Sequence, residues 1–333
     1  MKKALLLGRT GTISSAVAAR LLDLSWEVTV CNRGTHPAPA GAEQIVCDVH
    51  DSGAMESVLS GRHFDAVADF LVYTPADAEA RLALFDGKTD QYLFISTASA
   101  YQKPLNCFRI TESTPLKNPY WQYSRDKIAC EDLFLHAWRT QGFPVTIVRP
   151  SHTYGPGRPP LPLHGEKGPW QTLQRILDGK PVLVHGDGLS LWTVTWNEDF
   201  ARGFADLCGN PLALGECVHI TSDQSVTWNQ ILESIGRALG RTPQLVHIAS
   251  ETLAALRPSL LGTLLGDKAW SVSFDNSKIK RLSPHFGPCL SADEGITRAV
   301  QTLLETPVLQ VPDPEFDAWC DSTVARYFSV LRG

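Results

Sequence analysis

The sequence predicts an α/β fold, a doubly wound parallel sheet with a smaller C-terminal lobe, on three observations. Short apolar runs alternate with helically periodic segments over the first 150 residues. A glycine pair follows the first apolar run directly, and the texture changes after Pro150 into a proline- and glycine-rich stretch, "YGPGRPPLPLHGEKGP". Near-continuous apolar strands separated by helices mark a parallel sheet covered on both faces. In order, "KALLLG" reads as a strand, "SSAVAARLLDLS" as an amphipathic helix, and "EVTVCN", "EQIVCDV", "DAVADFLV", "QYLFIST" and "PVTIVRP" as further strands. The proline-rich stretch breaks regular structure. Beyond it the pattern gives a helix at "WQTLQRILDG", a strand at "PVLVHG" and a helix from about Asn197 to Leu207. A strand at "ECVHIT" and a helix at "TWNQILESIGRALG" follow, and the C-terminal segment reads as a short helix after a turn.

Composition narrows the function. The apolar fraction of 43% fills an interior, and the net charge of −5 lacks the basic footprint that nucleic-acid binding needs. No apolar run approaches the ~20 residues that cross a bilayer. The eight cysteines are scattered without a C-x-x-C pair, as expected for reduced thiols in a cytoplasmic protein, with neither disulfides nor a metal site.

The loop Gly8-Arg9-Thr10-Gly11-Thr12-Ile13-Ser14 stands between a strand and a helix. Glycine permits a tight turn and close approach of a ligand, and a helix N-terminus attracts a pyrophosphate. This context points to a dinucleotide, NAD(P). The second strand ends Cys31-Asn32-Arg33, without the acid that binds the adenosine ribose of NAD, and Arg33 is placed to neutralise a 2′-phosphate. That leans the choice toward NADP, although Asn32 fits either form. Asp48 and Val49, after the third strand, are placed to meet the adenine.

Tyr123 and Lys127 stand four apart in "YWQYSRDKIACED", so a helix projects both from one face. As a surface pair they would contribute a few tenths of a kcal/mol. Two strand ends rich in hydroxyl and polar residues, "FISTASAYQ" and "TIVRPSHTYGPG", are expected to converge on them. Taken with the glycine loop, the motifs S-T-x-x-x-Y, Y-x-x-x-K and R-P-x-x-x-Y-G-P, and "HGDG" followed by "TWNEDFA", this chain resembles an extended short-chain dehydrogenase/reductase of the NAD(P)-dependent epimerase/dehydratase family.

The resemblance implies a Rossmann-type sheet over residues 1–157, with a returning segment at about 186–220. Residues 158–185 and 221–333 would then form the substrate-binding lobe. It makes Tyr123 the general acid/base, Lys127 its partner and Thr97 the hydroxyl that binds the reacting oxygen. It places Gly8, Arg9, Thr10, Gly11, Thr12, Ile13, Phe70, Leu71, Tyr123, Lys127 and Pro150 on the cofactor, with Ala98, Ser99, His152 and Trp192 on a sugar-like substrate. A homodimer is a further family expectation. A phenol has a pKa of about 10, and lowering it by about three units needs roughly 4 kcal/mol from nearby positive charge.

Family dehydratases follow the threonine with Asp-Glu; here Ala98 and Ser99 stand there, which points to epimerisation or simple oxidoreduction. An NADPH-dependent ketoreductase or a dehydratase of the same family is the alternative enzyme. A non-catalytic NADP- or RNA-binding relative is the alternative from another class. Trp192 occupies the position of the arginine that grips a diphosphate in the family; an aromatic ring replaces no charge-assisted contact, though Trp192 and Trp196 offer faces for a sugar or base. The fourth strand lacks the family's His-x-Ala-Ala. His152 replaces an asparagine and brings a group that titrates near neutrality. Arg158, His164, Lys167 and Lys268 are the candidate anion-binding groups.

Overall fold

The computed structural model describes residues 1–8, 11–287 and 289–332; Arg9 and Thr10, both expected on the cofactor loop, lie outside the described residues. Seven parallel strands form the main sheet. Their spatial order is Cys217–Ile220, Val145–Pro150, Tyr92–Ile95, Ala66–Asp69, Lys3–Leu7, Glu27–Asn32, Glu43–Val46. Helices cover both faces, which is why Leu5, Leu6 and Leu7 in succession are all fully buried. On one face the helices Thr12–Asp23 and Asn197–Leu207 bring Val17, Leu21, Phe200 and Phe204 into one core. On the other, the helices Pro75–Phe85 and Gln122–Gln141 press Phe85 and Phe134 against Tyr92, with ring centroids 5.5 and 5.3 Å apart.

The chain leaves Lys3–Leu7 in one direction and returns on its other side through Ala66–Asp69, so the strand order reverses between those two. In open α/β sheets ligands bind in the crevice at such a reversal, outside the carboxyl ends of the strands. Gly8, Phe70, Thr97 and Pro150 all stand at or just past those ends.

Two buried ion pairs fix this edge. Asp69 is fully buried; it accepts from Arg81 Nε at 2.8 Å, Tyr92 OH at 2.7 Å and the Leu71 N–H at 2.8 Å. The last bond sets the course of the chain just beyond the strand. Glu131 is equally buried and takes Arg149 Nη2 at 2.5 Å and Nε at 3.0 Å, with the Ser96 hydroxyl on the same carboxylate.

The second lobe is built on small sheets. Leu191–Trp196 pairs parallel with His152–Tyr154 and antiparallel with Ser225–Thr227, and Pro181–His185 pairs parallel with Gln244–Ile248. Its core gathers Trp192, Trp228, Ile231 and Ile235. The helix Trp228–Leu239 starts on a Thr227/Gln230 capping box and stops at Gly240 in the left-handed region, φ 65°. The C-terminal segment departs from expectation: Pro314–Arg332 is a helix of 19 residues, not a short one. Phe316 and Cys320 bury one side of it, while Asp317 and Asp321, one turn apart, hold Arg175 and Lys180. Packing, more than local propensity, carries a helix of this kind.

His185 ends the strand Pro181–His185, 1% exposed and edge-on to Trp228 at 5.3 Å. Burial, helped by Lys268, pushes its pKa from 6.5 down to about 3. The folded protein therefore holds it neutral while the unfolded chain takes up a proton, so stability declines as pH falls from 6.5 toward about 3. His185→Leu is expected to flatten the drop in melting temperature between pH 7 and pH 5. A drop as steep as that of the parent protein would assign the acid sensitivity elsewhere.

Candidate active site

The helix Gln122–Gln141 begins without a side-chain cap of its own. Asn118 instead organises the approach, its Oδ1 accepting from the N–H groups of Tyr120 and Trp121 at 3.1 and 3.2 Å. Its Nδ2 donates to Ser99 O at 2.8 Å and to Gly266 O at 2.7 Å, tying the loop after the fifth strand to the second lobe. Tyr123 thus enters the helix with its ring against Trp121, centroids 5.0 Å apart, and its phenol near enough to the Thr97 side chain for its pKa to be lowered by it. Thr97 Oγ1 lies 2.9 Å from Ser99 Oγ, which lies 2.7 Å from Ser124 Oγ, so a line of hydroxyls fixes the threonine.

Lys127 is 2% exposed, and its ammonium donates to the carbonyls of Val72 at 2.5 Å and Ile95 at 2.7 Å. It sits 5.8 Å from the centroid of the Tyr123 ring. Burial pushes Lys127 down to about 8. Burial likewise pushes Tyr123 up to about 12, against the Thr97 side chain that pulls it down. The Lys127 ammonium is engaged by backbone carbonyls, and desolvation dominates the phenol.

Three cavities run in series along the strand ends. The first, about 190 Å³, is lined by Asn32, Arg33, Asp48 and Val49 and reaches Gly8 and Leu71. The second, about 360 Å³, shares Gly8 and Leu71 and adds Gly11, Thr12, Ile13, Phe70 and Lys127. Tyr123 and Pro150 line both this cavity and a third of about 250 Å³, which holds Thr97, Ala98, Ser99, His152 and Trp192. Each described residue that the resemblance places on the cofactor or in catalysis, together with Asn32, Arg33, Asp48, Val49, Ala98, Ser99, His152 and Trp192, lines one of the three.

The residues present fit a dinucleotide. Gly8 has φ 82°, and a Cβ there would lie 2.6 Å from the Leu71 side chain, so the loop passes closer to the crevice floor than any other residue allows. Thr153 lines the second cavity with Oγ1 buried and without a hydrogen-bond partner among the described residues. Among those residues no group of three or more His, Cys, Asp or Glu could hold a metal ion.

Several expectations change. His152 lines the third cavity but does not titrate near neutrality: burial first, then Lys268 and His164, push it to about 3. Trp196 packs edge-on to Tyr154 at 5.4 Å inside the lobe core and is absent from the lining. Trp192 lines the cavity yet is only 3% exposed, packed on Trp228 at 5.6 Å. Lys268 spends its ammonium on the carbonyls of Leu161 at 2.9 Å and Pro162 at 3.1 Å, and Arg158, His164 and Lys167 do not line the cavity. Sequence reasoning missed Tyr73, Thr153, Lys103 and Asp267. Thr153 sits inside a motif already singled out and was findable; Lys103 and Asp267 carry no local pattern that places them together.

The model of the NAD dependent epimerase/dehydratase family matches residues 4–216. The chain is 27% identical over 286 residues to 2'-dehydrokanamycin reductase of Streptomyces kanamyceticus, covering 85% of this chain and 80% of that protein. It is 25% identical over 262 residues to the chloroplast stem-loop binding protein of 41 kDa b from Arabidopsis thaliana, covering 74% of this chain and 66% of that one. The fold matches that of dTDP-glucose 4,6-dehydratase from Bacillus anthracis in complex with NAD, at a TM-score of 0.74 and 18% identity over 93% of this chain and 98% of the other. No described helix is long and apolar enough to cross a membrane. A parallel sheet that reverses at a glycine loop, opening onto a Tyr-Lys helix, places the chain in the NAD dependent epimerase/dehydratase family, enzymes of the short-chain dehydrogenase/reductase type that work with a nicotinamide cofactor.

Proposed function

We propose that the protein moves a hydride reversibly at an alcohol carbon of a sugar-like substrate, as an epimerase or related oxidoreductase. One observation carries this reading: Tyr123 lines both the cavity that begins at the glycine loop and the cavity that holds Thr97. A group at that junction can reach a substrate oxygen on one side and face the cofactor on the other. The nicotinamide supplies hydride acceptance and donation. Thr97 holds the reacting oxygen, Tyr123 takes and returns its proton, and Lys127 is the cation nearest its ring, 5.8 Å from the centroid. Because burial raises the phenol to about 12, proton removal depends on positive charge beyond that of Lys127.

Ala98 and Ser99 leave the cavity without the paired carboxylates of family dehydratases, and the Ser99 hydroxyl is engaged with Thr97 and Ser124. Net reduction of a ketone is the second reading, favoured by the likeness to 2'-dehydrokanamycin reductase over most of both chains. Cofactor that stays bound through purification and turnover supports the epimerase; NADPH consumed stoichiometrically supports the reductase.

For the cofactor, the reading is NADP. Asn32 Oδ1 is occupied by the Gly34 N–H at 2.8 Å and Gln44 Nε2 at 3.0 Å, no carboxylate ends the second strand, and Arg33 and His50 line the first cavity. Asn32 thereby shapes the loop, while the exposed Arg33 is left for a phosphate.

Tyr123→Phe is expected to lower kcat by about 10²- to 10⁴-fold while leaving cofactor binding intact. Turnover equal to that of the parent enzyme would remove Tyr123 from the chemistry. Arg33→Ala is expected to weaken NADPH binding by about 10- to 100-fold, as loss of a hydrogen bond to a charged group does, and to spare NADH. An equal change for both cofactors, measured by fluorescence titration, would argue for NAD.

A further inference from the structure

The third cavity is walled by two charges that neither the hydride chemistry nor the packing requires. Lys103 is 1% exposed; its backbone N–H donates to Lys117 O at 2.8 Å, but its ammonium makes no hydrogen bond or ion pair among the described residues. Asp267 faces the same cavity from the Leu264–Lys268 turn of the other lobe, and its carboxylate also lacks a direct partner among those residues. The two sense each other only at longer range. A buried charge without a partner costs several kcal/mol, so a fold that keeps one leaves it for a ligand to complete.

The sign of that ligand follows from the neighbours. Lys268 adds a second buried cation, already held by two carbonyls, and Asp267 supplies one negative charge against the two positive ones. His152 stays neutral and adds none. One positive charge is left over, and Lys103 is the cation that lines the cavity. Trp121, Trp192, Val272 and Phe274 wall the rest, which strengthens any ion pair formed inside. At about 250 Å³ the cavity is below the roughly 300–1,000 Å³ of sites for drug-sized ligands, so it encloses a single ring.

We propose that Lys103 is a specificity residue that pairs with an anionic group, a carboxylate or a phosphate, on a single sugar ring, with Asp267 taking a hydroxyl of that ring. This rests on the assignment of Tyr123 above, since it places the anion in the cavity where Thr97 holds the reacting oxygen.

The test titrates the cofactor-loaded enzyme with glucose, glucuronate, glucose 6-phosphate and glucosamine, following the fluorescence of Trp121 and Trp192 in the cavity wall. Glucuronate or glucose 6-phosphate is expected to bind about 10- to 100-fold tighter than glucose, with glucosamine weakest. Which of the two anions wins separates carboxylate from phosphate. Lys103→Met should abolish the preference, and Lys103→Arg should retain part of it, which a merely structural role would not. Equal binding of all four sugars, preference for glucosamine, or a preference that survives Lys103→Met would overturn the proposal. Should Lys103→Met fail to fold, the parent enzyme's ranking of the four sugars and the Lys103→Arg titration decide. Binding is read without turnover, so a Tyr123→Phe variant that still prefers anions keeps this inference separate from the assignment of the acid/base.

Discussion

The Glu131–Arg149 pair holds the active-site elements together. Glu131 lies four residues after Lys127 on the Gln122–Gln141 helix, hence on the same face. Its carboxylate takes Arg149 from the sixth strand of the sheet in chain order and the Ser96 hydroxyl from the end of the fifth. Those strands lead directly to Pro150 and Thr97. One buried, bidentate contact therefore fixes the helix that bears Tyr123 against both loops that face it. A charge so deep is costly to desolvate, and the geometry must be good to offset it. Its return lies in position: a shift of an ångström between Tyr123 and Thr97 would separate the phenol from the reacting oxygen.

On that frame the electrostatics are set by dryness. Lys127 is buried and lowered to about 8, and Tyr123 is buried and raised to about 12, so near neutrality the phenol keeps its proton. The same dryness keeps His152 neutral and leaves Lys103 and Asp267 without direct partners across the neighbouring cavity. Burial thus prepares a site in which small changes of charge have large effects, because the surrounding dielectric is low. Asn118 joins the two halves, bonding the Ser99 carbonyl and the Gly266 carbonyl, so the lobe that carries Asp267 is registered to the strand end that carries Thr97.

Much of the fold is legible in the sequence because its signals are local. Apolar runs such as "ALLL" need two covered faces, and Gly8 needs a backbone conformation that other residues avoid. The i, i+4 spacing of Tyr123 and Lys127 puts them on one face of any helix that contains both. The C-terminal helix is longer than its own pattern predicts, since its length rests on Arg175 and Lys180 meeting Asp317 and Asp321 from another part of the chain. Lys268 departs from expectation for a related reason: a lysine's sequence neighbours do not reveal that carbonyls of Leu161 and Pro162 will take its charge.

By itself the sequence determined the parallel sheet, the glycine turn and the pairing of Tyr123 with Lys127. Each follows from periodicity, backbone freedom or spacing within one element. Only the tertiary structure decided how far burial moves the phenol and the ammonium, and that Lys103 and Asp267 face one cavity. Desolvation and through-space charge depend on what packs nearby, and the groups that pack here come from segments far apart in the chain.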